Sequence, residues 1–284
     1  MVVMQPKIVG LCLVRNEEFF IGQVIENIRE FCDHLIITDH QSRDETLEIA
    51  RAFARRYSNI EVHRIQHASQ SQQFLAPYYN TRTWVFAVDG DEIYDPGRLR
   101  TFRKKLKNGE LARWWTVFGN VLHCTKLDIE AMHAGGYLSP PCRSMTKLYN
   151  FHAIREWADV KSERLHGGSI VFKHGWNAAM RYDYYKSIPW EESDFRCLHL
   201  CFIPRSPIDQ RRKTKGLFSR PNIADRMNMR LKEKIGMYIG GLLGLPRYST
   251  LKTEKYMRGA FATRDIQPFF DKEPTGFPVP GKNE

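Results

Sequence analysis

Several features are missing from these 284 residues, and each absence narrows the field. No stretch reaches the roughly 20 apolar residues that a membrane-spanning helix needs. The longest candidate, Ile235 to Leu245, is short and carries four glycines, so it reads as a buried or capping helix rather than a membrane-surface element. Met1 to Gly10 lacks a basic start followed by an apolar run, the mark of an export signal. The expectation is a soluble cytoplasmic protein, with peripheral attachment at the inner membrane face as an alternative. The six cysteines, at 12, 32, 124, 142, 197 and 201, form no Cys-x-x-Cys pair. In a chain this long and this Cys-poor they read as reduced, mostly buried thiols rather than a disulfide framework. No repeat or low-complexity tract interrupts an ordinary globular composition, 42% hydrophobic and 26% charged. A chain of this length can bury a substantial core without staples.

Acidic residues are scarce in one place. Arg205 to Arg264 holds 15 Lys/Arg against 4 Asp/Glu, whereas residues 1–204 hold 26 against 24 and residues 265–284 hold 2 against 4. The formal charge of +11 therefore sits in the C-terminal segment. A basic surface attracts phosphates, whether of nucleic acid, anionic lipid headgroups or an acidic glycan. The bland alternative is a solvated helix face.

Lys7 to Val14 (KIVGLCLV) is a short apolar run rich in β-branched residues, a buried strand. In Arg15-Asn16-Glu17-Glu18, Asn16 can cap a helix and the glutamates suit its positive end. Phe20, Val24, Ile28 and Phe31 then recur at helical spacing. Leu35 to Thr38 is a second strand ending in Asp39. Ser42-Arg43-Asp44-Glu45 has the form of a capping box, and Ile60 to Arg64 is a third strand. The pattern predicts a helix over Gln70–Tyr79 and a strand Trp84–Val88 running into Asp89-Gly90-Asp91-Glu92. Asp95-Pro96 opens a further helix through Lys107, closed by Asn108-Gly109.

Beyond it, Trp114–His123, Met145–Tyr149, Ser169–Lys173 and Cys197–Ile203 read as strands of a second, mixed portion. Residues 124–144 read as a long loop or short-helix insertion, with Gly135-Gly136 and Pro140-Pro141 as breakers. From Pro207 to about Gly259 the chain reads as helical and basic, and from 265 onward as an extended tail.

Alternating strands and helices mean a parallel sheet with right-handed crossovers, and ligands bind outside the carboxyl ends of such strands. Arg15-Asn16-Glu17 and Asp39 fall there. So do Asp89 and Asp91, two carboxylates one glycine apart. Like charges that close repel, and a divalent cation removes that cost. Hard oxygen donors suit Mg2+ or Mn2+, which commonly also bind substrate phosphates. Gly90 lets backbone come close to a ligand. An ordinary solvated turn is the alternative.

Three segments carry a resemblance: VRNEE (Val14–Glu18), TDHQSRDET (Thr38–Thr46) and TWVFAVDGDEIY (Thr83–Tyr94). In this order and spacing they resemble the family 2-like glycosyltransferases of the GT-A fold, over roughly the first 100 residues. The resemblance implies an α/β chain with a Rossmann-like nucleotide-binding half, residues 1–110, fused to a mixed acceptor-binding half, residues 111–204. A basic helical C-terminal extension, 205–264, and the tail 265–284 would follow. It also implies a UDP- or GDP-linked sugar donor, Mn2+ or Mg2+, and usually inversion at the anomeric carbon. Carried over by position, the backbone of Leu13, Val14 and Arg15 and the side chain of Glu17 line the nucleotide pocket. Asp39 meets the base, and Asp89 and Asp91 are the donor and metal aspartates. Leu198-His199-Leu200 looks like the late element that supplies a metal-contacting His.

Read from the residues alone, His199 stays open between a metal ligand and a hydrogen-bonded core histidine. Cys197, His199 and Cys201 share one face of an alternating strand, but side chains two apart are poorly arranged to enclose a tetrahedral zinc. An inverting transfer needs a carboxylate to take the acceptor's proton. Lys147-Leu148-Tyr149, Trp157 and Ser162-Glu163-Arg164-Leu165-His166 look like the run that carries it in related enzymes. This makes Glu163 the expected base and Asp159 the next candidate. Ser162 departs from the His that commonly precedes the Glu, and a surface ion pair is the alternative for either carboxylate. Tyr182, Tyr184, Tyr185 and Trp190 read as an acceptor-stacking wall or as core.

Two classes of function remain in view. One is a metal-dependent glycosyltransferase with an unidentified acceptor (glycan, lipid-linked, protein or modified nucleic acid), an anionic one such as a phosphate-rich glycan, a lipid headgroup or nucleic acid being met at 205–264. The other is a nucleic-acid-binding protein using that segment on a non-catalytic scaffold. Nucleotidyltransferases on this kind of sheet usually carry a glycine- and basic-rich loop after the first strand, where this chain has VRNEE.

Overall fold

The computed structural model describes residues 5–158, 165, 168–211, 217–218, 220 and 250–272. Strands β1 (Lys7–Val14), β2 (His34–Asp39), β3 (Ile60–Arg64) and β4 (Thr83–Asp89) are parallel, in the order β4-β1-β2-β3. β1 is buried at seven of its eight positions, which is why its sequence is an unbroken apolar run. Helices α1 (Ile21–Arg29) and α2 (Thr46–Arg56) are the crossovers. Helix α3 (Pro96–Lys107) starts as its sequence predicts: the Asp95 side chain accepts from the Arg98 N–H, and Pro96 opens the first turn. Gly109 then takes the positive φ, +79°, that ends it.

The two sequence-level caps do other work. The Ser42 hydroxyl accepts from the Asn16 N–H at 2.9 Å, and the Asn16 carbonyl side chain accepts from the Arg43 N–H at 2.8 Å. They tie the loops after β1 and β2 to each other, while α1 and α2 have no side-chain cap bond. Residues Ala68–Tyr78 form a 3-10 helix where an α-helix was expected.

The first sheet is completed by antiparallel β9 (Lys147–Asn150) against β4, β6 (Thr116–Val117) against β9, and β12 (Arg181–Tyr182). A hairpin of β10 (Ile154–Ala158) and β11 (Ser169–Phe172) stands beside it. A second sheet has the order β14-β8-β7-β13-β5, from β14 (Phe261–Asp265), β8 (His133–Leu138), β7 (Asn120–Asp128), β13 (Arg196–His199) and β5 (Glu92–Tyr94).

This second sheet corrects the sequence reading of residues 124–144. β7 runs on to Asp128 and β8 returns beside it, so the segment is mostly a hairpin. Gly136 is no breaker there: a Cβ at that position would lie 2.0 Å from the carbonyl oxygen of His123. The glycine lets two strands cross closely. The expected strand Trp114–His123 is interrupted at Gly119, where a Cβ would meet the Phe195 carbonyl at 2.2 Å. The strand expected over Cys197–Ile203 ends at His199, so Cys201 lies beyond any alternation.

Beyond Gly259 the described C-terminal residues depart from the sequence reading, while the described residues of 207–259 include two short helices. After the short helix α4 (Tyr184–Ser187), the expected basic helix and extended tail contain, in their described part, α5 (Pro207–Gln210), α6 (Thr250–Tyr256), strand β14 and α7 (Gln267–Phe270). β14 pairs with β8, and Ile266, Phe269 and Phe270 are buried in the main core. Burial of these apolar side chains is the physical reason the tail folds back. Gln23 and Asn27 of α1 donate to the Phe269 carbonyl, which explains polar residues on a fully covered helix. Ile235–Leu245 lies outside the described residues. All six cysteines are buried. Among the described residues no helix is long and apolar enough to cross a membrane.

Candidate active site

β4 ends at Asp89 in the first sheet, and after the Gly90-Asp91 turn the chain becomes β5 of the second. The carboxylate pair therefore sits at the junction of the two sheets. The Gly90 N–H donates to the Leu13 carbonyl at 3.2 Å, and a Cβ on Gly90 would lie 2.7 Å from Glu17 Cγ. The glycine is required because the loop after β1 presses on this turn. The Asp91 carbonyl accepts from the Leu200 N–H at 2.8 Å, which ties the turn to the end of β13.

A cavity of about 430 Å³ opens at this junction. Leu13, Val14, Arg15 and Glu17 line it from the end of β1, and Asp89 and Asp91 from the end of β4. His199 enters from β13, and Arg205, Asp209, Arg220, Lys252 and Tyr256 enter from the C-terminal residues. The cavity thus lies outside the carboxyl ends of the central strands, where parallel sheets place ligands. Eight Lys/Arg side chains line it against four carboxylates, Glu17, Asp89, Asp91 and Asp209.

Asp91 is 8% exposed and ion-paired with Arg205 through its Oδ2. Burial pushes the Asp91 carboxyl up, but the Arg205 guanidinium, with His199, Lys252 and Arg220 behind it, holds it below the usual carboxylate range. His199 Nε2 lies 3.7 Å from the same Oδ2. Burial pushes the imidazole down to about 4, against the pull of Asp91, so the ring is neutral at pH 7. Its Nδ1 is 2.8 Å from His123 Nδ1, and His123 Nε2 is 2.9 Å from the Arg143 carbonyl.

Glu17 is 5% exposed, and burial pushes it up to about 8 even though Arg205 and Arg220 pull the other way. Arg220 donates to Glu17 at 2.8 Å, to the carbonyls of Arg15 and Asn16, and to Asp209. Lys252 donates to the Arg220 carbonyl at 2.6 Å. The C-terminal residues are therefore built into the cavity wall.

Of the expected site residues, Leu13, Val14, Arg15, Glu17, Asp89, Asp91 and His199 come together around the cavity. Asp39 does not line it. Its fully buried carboxylate accepts from the Ser42 N–H at 3.2 and 3.3 Å and faces Arg64 at 3.8 Å. Glu163 and Asp159 lie outside the described residues. Tyr184, Tyr185 and Trp190 are buried, Tyr184 edge-on against Phe102 and Trp190 stacked on Phe269, whereas Tyr182 is half-buried and stacks on Trp114. His123, Asp209 and Tyr256 carried no sequence signal, because each reaches the site only through long-range packing; Arg220 and Lys252 lie in the basic segment read from the sequence, which did not single them out.

The donor set suits a divalent ion. An ionised carboxylate and an imidazole nitrogen face each other across 3.7 Å with a guanidinium already drawn to the carboxylate. One nitrogen donor among oxygens fits Mn2+ better than Mg2+, which favours an all-oxygen shell.

A mixed α/β fold with a cavity outside the carboxyl ends of its strands is an architecture that binds nucleotides and related ligands. The chain belongs to glycosyl transferase family 2, whose pattern matches residues 13–188, more than half of its length. Among solved structures it is similar to glucosyl-3-phosphoglycerate synthase from Mycobacterium tuberculosis in complex with Mn2+, UDP and glucosyl-3-phosphoglycerate. The identity is 19% and the TM-score 0.35, over 52% of this chain and 58% of that one. A mannosyltransferase from Pyrobaculum calidifontis in complex with GDP-Man and Mn2+ is similar at 14% identity and a TM-score of 0.34, over 52% of this chain and 45% of that one. The chain thus spans less than two thirds of the length of either structure. No curated protein matches it.

Proposed function

We propose that this protein moves a sugar from a UDP- or GDP-linked donor to an anionic acceptor in a reaction that depends on a divalent metal. The observation that carries the reading is Asp91 and His199 facing each other across 3.7 Å at the floor of the cavity. Asp91 and His199 would hold Mn2+, with Asp89 beside them. The ion's chemistry is to neutralise charge on the leaving diphosphate. The loop after β1, with Leu13, Val14, Arg15 and Glu17, would line the nucleotide, and Asp39 would shape the neighbouring strand end from behind. Arg205 is placed to follow the phosphate charge once a metal takes its place on Asp91.

The cationic surplus of the wall supports the anionic acceptor. A divalent ion and a diphosphate roughly cancel, so lining cations such as Arg143 and Lys255 are left for a second anion. Arg205, Arg220, Lys252 and Lys255 of the basic segment line the cavity, which favours a small anionic substrate over a nucleic-acid scaffold. Transfer with inversion would pass the acceptor's proton to Glu163, or to Asp159, on the segment after β10.

The test is a panel of nucleotide sugars with Mn2+, scored by thermal shift and donor hydrolysis, on the wild type and Asp91→Asn. The wild type should select one donor, and the variant should lose Mn2+-dependent binding and at least a hundredfold in hydrolysis, on the order of removing a main charge-stabilising group. Equal donor hydrolysis by the two proteins would remove the metal role.

A further inference from the structure

We infer that His123 is a positioning residue that fixes the ring proton of His199 on Nδ1, leaving His199 Nε2 bare towards Asp91 and a divalent ion. This rests on the reading of Asp91 and His199 as the metal-holding pair, and it assigns a role to a residue outside that reading.

Register brings the two rings together. β7 and β13 are parallel, and His123 and His199 are direct partners across them. Partners in adjacent strands present their side chains to the same face. The proton positions then follow from one fixed group. The Arg143 carbonyl can only accept, so His123 Nε2, 2.9 Å away, carries the hydrogen. A neutral imidazole has one N–H, so His123 Nδ1 is an acceptor. His199 Nδ1, 2.8 Å from it, must donate. The remaining nitrogen of His199, Nε2, therefore has a free lone pair on the side of Asp91. A metal-bound His whose other nitrogen is oriented by an outer partner is a recurring design, and losing the partner weakens the metal.

Neither ring is free to turn over. His123 is fully buried and His199 is 4% exposed. Tyr256 stacks on His123 with centroids 4.5 Å apart and meets His199 edge-on at 5.3 Å. The C-terminal helix α6 thus clamps the pair.

A rival use of the same residues is an ion held between His123, His199 and Cys201, whose ligand atoms lie within 4.8 Å of one another. The spacing of the imidazoles decides against it. Two nitrogens bound to one zinc at about 2.0–2.1 Å in a tetrahedron lie roughly 3.3 Å apart. The observed 2.8 Å is a hydrogen bond.

The test has an arm that needs neither metal nor mutation. Histidine-labelled, metal-free protein is read by long-range 15N–1H NMR, which reports which ring nitrogen is protonated. His199 should appear as the Nδ1–H form and His123 as the Nε2–H form; His199 protonated on Nε2 overturns the inference. The second arm is Mn2+ affinity in the presence of UDP, and separately GDP, from the EPR signal of free Mn2+. His123→Phe keeps a ring against Tyr256 but offers no acceptor, and should bind Mn2+ about 10- to 100-fold more weakly. His123→Asn, which puts an amide oxygen close to where Nδ1 stood, should recover most of that loss. Wild-type affinity in a folded His123→Phe overturns the inference. Cys201→Ser should bind Mn2+ as the wild type does; a loss equal to that of His123→Phe puts the ion between the imidazoles and the thiol and overturns it. If Mn2+ binding is insensitive to Asp91→Asn, the metal reading of the proposed function fails instead, and the NMR assignment still decides the proton position.

Discussion

Arg220 reaches back to the loop after β1 and is only 13% exposed at its side chain, with Asp209 beneath it at 2%. It donates to two backbone carbonyls and to two carboxylates. Removing the guanidinium takes the main counter-charge from this buried set, although Glu17 keeps Arg205 at 3.3 Å and Asp209 keeps the Arg205 N–H at 3.0 Å, and breaking such a set costs about 3–5 kcal/mol. Arg220→Met should therefore lower stability by about that much in urea unfolding, well beyond the ~1 kcal/mol typical of an exposed pair. A loss under ~1 kcal/mol would mean the cluster is solvated and the C-terminal residues are only loosely seated. At this scale the sequence was informative where chemistry follows an apolar strand directly. Glu17, Asp89 and Asp91 stand out because a carboxylate at the end of a buried run needs a reason. His123 and Arg220 do not stand out, since their partners lie 76 and 203 residues away.

Elements are held to each other by a second charged cluster, at the amino ends of β1 and β2. Asp33, just before β2, accepts from the Ile8 N–H of β1 at 2.7 Å and from Lys107 of α3 at 2.6 Å, and pairs with Arg103 of α3. Burial pushes the Asp33 carboxyl up, but the hydrogen bonds from Lys107 and Arg103 together bring it below its ordinary value. A depressed carboxyl contributes stability that is complete above its unfolded value, near ~3.9, and is lost as pH falls through the lower folded value. Asp33→Asn should cost about 1–2 kcal/mol at pH 7, reduced from the buried limit by partial exposure. The gap between the two proteins should narrow as pH falls below the ordinary carboxylate range and close below the lowered value of Asp33, in chemical denaturation. A gap that stays constant with pH would assign the cost to packing instead of charge. The strands and helices of the first hundred residues were legible because their apolar period is unambiguous. The β7–β8 hairpin was not, because Gly135 and Gly136 look like breakers until the close approach of His123 shows why the second has no side chain.

For the whole molecule, the question is whether residues beyond 204 are an appendage, as the charge step at Arg205 suggests. Their described part argues otherwise. β14 closes the edge of the second sheet against β8. Ile266, Phe269 and Phe270 are 0–2% exposed in the core that also holds Ile25, Ile28 and Tyr94. Burying three such side chains is worth on the order of 1.5–3 kcal/mol each. Their sum is comparable to the whole net stability of a domain, about 5–15 kcal/mol. The same residues supply Arg205, Arg220 and Tyr256 to the cavity. Charge composition hides this, because the basic side chains and the apolar anchors alternate within one stretch and only packing separates them. A chain ending after Pro204 should therefore lose its cooperative thermal transition and bind a hydrophobic dye, rather than behave as a smaller intact enzyme. If that shortened chain instead melts cooperatively at the full-length temperature, the C-terminal residues are dispensable to the fold, and their cations act on the site without building it.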